Sequence, residues 1–234
     1  MKFLFRPSLL LVMALALTGC QQHIDIQGTS SVPELEGRTL YLRVYRDGDL
    51  QAIDSASIIH GKFAFRGPAQ DSTCMAFLFL DEQSVMPLVL ERETPLTMKL
   101  DENENKVEGS ALNDTLFAFI RRKAVLDEQL AALPHRESRM ILDGYDHEEI
   151  IMQLRHEAAV LNAQEDELVM RFIKDNMDNV LAPGIFMVVT SSLPPMLNPQ
   201  IEELITLASP QFLNDAYVQE FLRVAHENME KLRE

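Results

Sequence analysis

Few side chains in this sequence are spaced for chemistry. His156-Glu157 opens like the first half of a zinc-protease helix, in which a second histidine four residues on would complete the metal face. That position is Val160, and no second ligand follows. His147, Glu148 and Glu149 fall where a long helix is expected to begin; acids there favour the helix dipole, and a lone histidine is a solvated side chain. The paired carboxylates Glu202 and Glu203, and the group Asp101, Glu102 and Glu104, have no adjacent base, nucleophile or glycine-rich loop and read as solvated faces. Cys74 lies in the apolar run of residues 73–80 and reads as a buried, inert thiol. Gly-x-Ser-x-Gly, a phosphate-binding glycine loop and an EF-hand loop do not occur in the sequence. No catalytic residue, metal ligand or cofactor is therefore expected from motifs, although catalytic groups scattered in sequence need only meet in space.

The clearest chemistry is at Cys20. Lys2 and Arg6 precede an uncharged apolar run over residues 9–17, which ends in Leu17-Thr18-Gly19-Cys20. Nine residues are too few for a spanning helix, which needs about 20, so the run reads as a signal rather than an anchor. The tetrapeptide resembles the bacterial lipobox. That resemblance implies that residues 1–19 are a lipoprotein signal peptide, cut just before Cys20, whose thiol carries diacylglycerol. Each acyl chain gains about 0.8 kcal/mol per buried methylene, and two or three chains anchor stably. The membrane is then a partner through the lipid on Cys20 alone. Gln21-Gln22-His23 lacks the acidic cluster that resembles a surface-export signal, so the outer membrane, facing the periplasm, is the expected location.

Charge narrows the partners. The chain has 21 Lys+Arg against 36 Asp+Glu. Removing residues 1–19 deletes two bases and no acid, which leaves 19 against 36, a net charge of −17. Nucleic acid is excluded, since phosphate binding needs a basic face that releases counterions. With Cys20 lipidated, Cys74 has no partner thiol for an intramolecular disulfide. Asp54-Ser55-Ala56, Asp71-Ser72-Thr73 and Asp114-Thr115-Leu116 look like a short O-glycosylation acceptor, which makes Ser55, Ser72 and Thr115 candidate modification sites. Turn and cap chemistry, with Asp, Ser and Thr bonding nearby backbone, explains the same triplets.

The elements that must carry these residues divide near residue 109. Before it, β-rich runs at 24–26, 39–45, 51–59, 62–66, 74–80, 85–91 and 96–100 alternate with turn signals such as Asp47-Gly48 and His60-Gly61. Closely spaced strands without intervening helices predict an antiparallel sheet or sandwich with one face packed and one partly wet. From Ser110 the period changes. A capped helix carries Leu112, Leu116, Phe119, Leu126, Leu130 and Leu133 to Pro134, and Asp143-Gly144 breaks the chain. A second, longer helix carries Ile151, Leu154, Ala158, Leu161, Leu168 and Phe172. These two predict a helical hairpin, with further helices at 182–192, 199–209 and 215–233. The expected class is α+β: a signal peptide at 1–19, a β-rich domain at 20–109 and an α-helical region at 110–234.

Four stretches carry a wider resemblance: residues 35–42 (Leu-Glu-Gly-Arg-Thr-Leu-Tyr-Leu), Ile53-Asp54-Ser55, residues 61–67 (Gly-Lys-Phe-Ala-Phe-Arg-Gly) and residues 109–114 (Gly-Ser-Ala-Leu-Asn-Asp). In order and spacing they resemble an uncharacterised β-rich domain of Bacteroidota envelope lipoproteins, which in many relatives stands in front of a thioredoxin-like domain of the peroxiredoxin and thiol-reductase type. These 234 residues contain no such domain and no Cys-x-x-Cys, so the resemblance carries no redox activity here. Three functions follow as expectations. The first is a membrane-anchored, non-catalytic binding or scaffolding lipoprotein. The second is an accessory to a separate thioredoxin-like protein. The third is an envelope hydrolase with an unfamiliar site, which would need a deep pocket of convergent polar groups with perturbed pKa values.

Overall fold

The computed structural model describes residues 23–232; the expected signal peptide and Cys20 lie outside them. Eight strands come first: β1 (Ile26–Ser30), β2 (Thr39–Arg46), β3 (Asp49–Ser57), β4 (Lys62–Phe65), β5 (Cys74–Leu80), β6 (Gln83–Leu90), β7 (Leu96–Leu100) and β8 (Lys106–Glu108). Alternation builds them: in β2, Leu40, Leu42 and Val44 are buried between half-exposed neighbours. Asp47 and Gly48 have φ of 52° and 86°, as a two-residue type I′ turn requires, and join β2 to β3. His60 and Gly61, at 52° and 67°, close the β3–β4 turn in the same way.

The strands form two four-stranded sheets, ordered β4-β1-β7-β8 and β3-β2-β5-β6. Pairing is antiparallel throughout, as the sequence predicts, except that β1 runs parallel to β7 from Ile26–Leu96 to Ser30–Leu100. Parallel neighbours need a long connection, and here it consists of β2 to β6. Ile26, Leu40, Leu42, Phe65, Leu78 and Leu88 interlock as the sandwich core. The Phe63 ring covers Gly28 on the neighbouring strand, where any Cβ would fall within the ring.

The expectation of one wet face holds at β3 but not at β5 and β6. Ala76 and Leu78 face the sandwich, while Phe77 and Phe79 face the other way onto Met187, and Val89 joins a helical core. Helices cover that outer face, so the central strand is apolar on both sides.

Six helices follow: α1 (Ala111–Leu142), α2 (His147–Asp175), α3 (Leu181–Thr190), α4 (Pro199–Leu207), α5 (Pro210–Leu213) and α6 (Ala216–Lys231). Ser110 caps α1, its Oγ accepting from Asn113 N at 3.2 Å. The expected stop at Pro134 is not observed; α1 runs on to Leu142. Proline there removes one backbone bond and clashes with the preceding turn, at a cost of about 3 kcal/mol. The helix persists because α2 flanks it past the proline, with Arg136 ion-paired to Glu157. Gly144 (φ 82°) ends the turn, and Asp146 caps α2 by accepting from Glu148 N at 2.9 Å.

The root of this hairpin is built into the molecule. Phe117 enters the sandwich core; Leu116, Phe119 and Ile173 enter the helical core, and Phe119 stacks on Phe172 with centroids 4.3 Å apart. Farther out, only Ile150 and Leu161 are fully buried, so the outer halves of α1 and α2 form a two-helix arm with a narrow seam. Helix α3 is the opposite case. Leu181 to Met187 are all buried, and Gly184 lets the helix lie against Met75 of β5.

Candidate functional site

Where the outer face of β2 and β5 meets the N-terminal ends of α3 and α6, a cleft of about 330 Å³ stays open. The sheet supplies Tyr45, Arg46, Cys74 and Phe77, the segment between β4 and β5 supplies Gln70 and Ser72, and the helices supply Met187, Asp215 and Tyr217. Local structure fixes each of them. Tyr45 and Arg46 end β2, where alternation turns Tyr45 away from the sandwich core. Tyr45 meets Tyr217 edge to face, with centroids 5.2 Å apart. Asp215 is the N-cap of α6: its Oδ1 accepts from Tyr217 N at 2.9 Å and Val218 N at 3.2 Å. Arg46 donates through Nη2 to Oε1 of the buried Gln70, whose Nε2 donates to Pro68 O at 3.1 Å.

Burial sets the proton affinities. It pushes the Cys74 thiol up to about 11, against a smaller downward pull from Arg46. It holds the Asp215 carboxyl above the ordinary carboxylate range despite the two backbone N–H groups. Tyr217 is raised by burial, although it shares a 2.9 Å hydrogen bond with Thr190. Tyr45 is raised first by burial and then by the negative field of Glu220, Tyr217, Asp215 and Asp49. Perturbed groups thus converge, as a hydrolytic site would demand. Cys74, however, is not an activated nucleophile. A nucleophilic cysteine needs a depressed pKa and a base at hydrogen-bond distance; Cys74 is shifted the other way and bonds to no described residue.

Of the residues singled out from sequence, Cys74 and Ser72 line the cleft and the others lie elsewhere. Ser55 is exposed on β3, and Asp54 beside it is engaged in the fold, Oδ1 accepting from Ser55 N and Oδ2 from Arg66 N and Gly67 N at 2.8, 2.7 and 2.6 Å. Ser72 is exposed at the mouth of the cleft. Thr115 lies in the first turns of α1, its hydroxyl donating to Ala111 O at 2.9 Å. His156 is exposed, and Glu157 is ion-paired with Arg136. Glu203 pairs with Lys174 at 2.6 Å, Glu104 with Arg121 at 3.3 Å, and Asp101 accepts from Ser31 at 2.7 Å. Among the described residues no three His, Cys, Asp or Glu side chains converge to hold a metal. None of their helices is long and apolar enough to cross a membrane. Arg46, Gln70, Asp215 and Tyr217 were not identified from sequence, since only the fold brings a strand end and a helix cap together.

The four stretches that carry the resemblance have structural work. Glu36 reaches the β3–β4 turn, accepting from His60 N at 2.7 Å and Gly61 N at 3.0 Å. Asp54 clamps the end of the third stretch at Arg66 and Gly67. Gly109 (φ 115°) passes against Pro95 O, where a side chain would collide, and Asn113 bonds the backbone of Val89 on both sides. They staple one loop to another.

A sandwich of two four-stranded sheets backed by a helical layer and arm is therefore the class of molecule. Residues 24–116, which span the sandwich and the first turns of α1, match the family described as Domain of unknown function (DUF4369). No curated protein and no solved structure matches the chain.

Proposed function

We propose that this protein is an envelope lipoprotein, held to the membrane by lipid on Cys20, that acts as a non-catalytic binding or scaffolding module and meets envelope proteins through the α1–α2 arm. The observation that carries the reading is the arm itself. Leu142 and Met152 are 86% and 72% exposed, and Ile141 and Tyr145 are more than half exposed. Large apolar side chains gathered at the end of a projecting element mark an interaction surface rather than the scatter of a monomer. The short leader and Leu17-Thr18-Gly19-Cys20 support the tether; the periplasmic side of the outer membrane follows from Gln21-Gln22-His23. The DUF4369 match supports an uncharacterised domain over residues 24–116, and the resemblance of the four stretches to envelope lipoproteins motivates a second reading in which the partner is a separately encoded thioredoxin-like protein. Ser55 and Ser72, exposed after Asp54 and Asp71, are the proposed sites of glycan attachment.

The test is mild crosslinking and affinity purification of the tagged protein from native envelopes, beside a variant with Ile141, Leu142, Tyr145 and Met152 changed to Ser. Partners present with the native arm and absent with the variant support the reading; an identical set of proteins from both refutes it. A thioredoxin-like protein at near-equal amount would select the accessory role. Intact mass equal to the lipidated polypeptide alone would eliminate the glycans, and mass without lipid would eliminate the tether.

A further inference from the structure

We propose that the cleft between β2, β5, α3 and α6 binds a small zwitterion, a free α-amino acid with an uncharged side chain. Its carboxylate would lie against Arg46, its ammonium against Asp215, and its side chain on Met75, Phe77 and Met187. The site is separate from the arm and does not rest on the role proposed for it.

Arg46 and Asp215 line different sides of this cleft without neutralising each other, and a second carboxylate, the exposed Asp71, also lines it. Arg46 comes from the sheet and Asp215 from the helical layer, and no ion pair joins them among the described residues. Arg46 commits one amino nitrogen to Gln70, and its other N–H donors bond to no described residue. Asp215 uses only Oδ1 in capping α6; Oδ2 accepts from no described donor, although the side chain is partly buried. A partly buried carboxylate oxygen lacking a donor is stabilised by a cation that arrives with the ligand. The aromatic pair Tyr45 and Tyr217 flanks the same space and favours an ammonium over their ring faces.

Size and field select the class further. A volume of about 330 Å³ lies at the small end of ligand sites and has room for about ten water-sized units, comparable with the roughly nine heavy atoms of a leucine. The chain has a formal net charge of −15, so a lone anion is repelled at long range, and a lone cation leaves Arg46 uncompensated. A net-neutral molecule with both charges meets neither penalty. Between the charged walls, Met75, Phe77 and Met187 give an apolar floor in which methionines adapt to side chains of differing shape.

The experiment uses the purified full chain and every common L-amino acid with an uncharged side chain, each at about 10 mM. An affinity of about 0.1 mM raises Tm by about 5 °C for the ligands that fit. For L-leucine, titration calorimetry then compares 4-methylpentanoate, which lacks the ammonium, and 3-methylbutylamine, which lacks the carboxylate. Each is expected to bind at least tenfold more weakly than the complete zwitterion. Asp215→Asn, which preserves the cap, and Arg46→Met are each expected to weaken binding at least tenfold, while Arg122→Met on the arm leaves it unchanged. No rise in Tm with any amino acid overturns the proposal, as does equal binding of the one-charge analogues. The analogue series needs no variant, so it remains decisive even if Arg46→Met fails to fold. Loss of arm-dependent partners has no bearing on these readouts.

Discussion

Asn113 pairs with Val89 as another strand would: its Oδ1 accepts from Val89 N, and its Nδ2 donates to Val89 O, both at 2.9 Å. Val89 lies on β6, the edge of its sheet, and an edge strand presents unpaired backbone groups that a fold must cover. A single amide at the start of α1 does so and fixes the helix to the sandwich. Asn113 is fully buried. Asn113→Ala removes both bonds and leaves the Val89 groups unsatisfied, a loss expected to cost about 3 kcal/mol. Urea denaturation followed by circular dichroism measures it, and a change under about 1 kcal/mol would refute this role.

Glu36 makes the β3–β4 turn sensitive to acid. Hydrogen bonds from Gly61 and His60 hold its carboxyl below the usual glutamate range. A depressed folded-state pKa contributes stability above the unfolded value of about 4.3 and loses it as pH falls through the folded value. The Tm difference between the native protein and Glu36→Gln should therefore be constant at neutral pH and shrink below about pH 4. A difference that persists unchanged at about pH 2 would contradict the carboxylate's role.

Cys74 should be a poor nucleophile in the folded protein. With its pKa near 11, the thiolate fraction at about pH 8 is roughly two-hundredfold below that of a free cysteine. Alkylation by iodoacetamide, followed by mass spectrometry, should be slowed by at least that factor and restored in urea. Rapid labelling of the native protein would refute the assigned environment.

Pro134 is a defect that the arm tolerates. Pro134→Ala restores a backbone donor in the middle of α1 and is expected to stabilise the outer arm by up to about 3 kcal/mol. Amide exchange over residues 130–142 reads the change. The sandwich amides should not move, because Phe117 and Asn113 fix the root of the helix independently. Slower exchange throughout the molecule would mean that arm and sandwich unfold as one.

The apolar end of the arm should matter to partners and little to folding. Surface substitutions usually change stability by about 0.5 kcal/mol or less, so Leu142→Ser and Met152→Ser should leave Tm within a few degrees. A large fall in Tm would show that these side chains are buried in solution, as in self-association, which sedimentation would detect.

Much of this architecture is legible in the residues themselves. Asp47-Gly48 and His60-Gly61 announce their turns by type, Leu40, Leu42 and Val44 give the inward face of β2 directly, and the three- and four-residue steps from Leu112 onward declare the helical hairpin. Other features leave no local trace. Parallel pairing of β1 with β7 is chosen by tertiary packing of segments some seventy residues apart. Phe77 and Phe79 look like half of an alternating strand until a helix is known to cover them. Glu36, Asp54 and Asn113 lie in the stretches that carry the resemblance, but their purpose lies in backbone groups far along the chain. The cleft is the extreme case, since neither Arg46 nor Asp215 has a sequence neighbour that hints at the other.

The place of β1 also orders events in time. This strand lies between β4 and β7, so the first strand of the described residues has neither neighbour until residues 62–65 and 96–100 have followed. Contacts so distant in sequence close slowly, on the scale of milliseconds to seconds. A strand without its hydrogen-bond partners is meanwhile exposed to aggregation. The sandwich therefore cannot close before residues 96–100 have been made. Pulse-labelled exchange during refolding should find the β2–β3 and β5–β6 hairpins protected before β1.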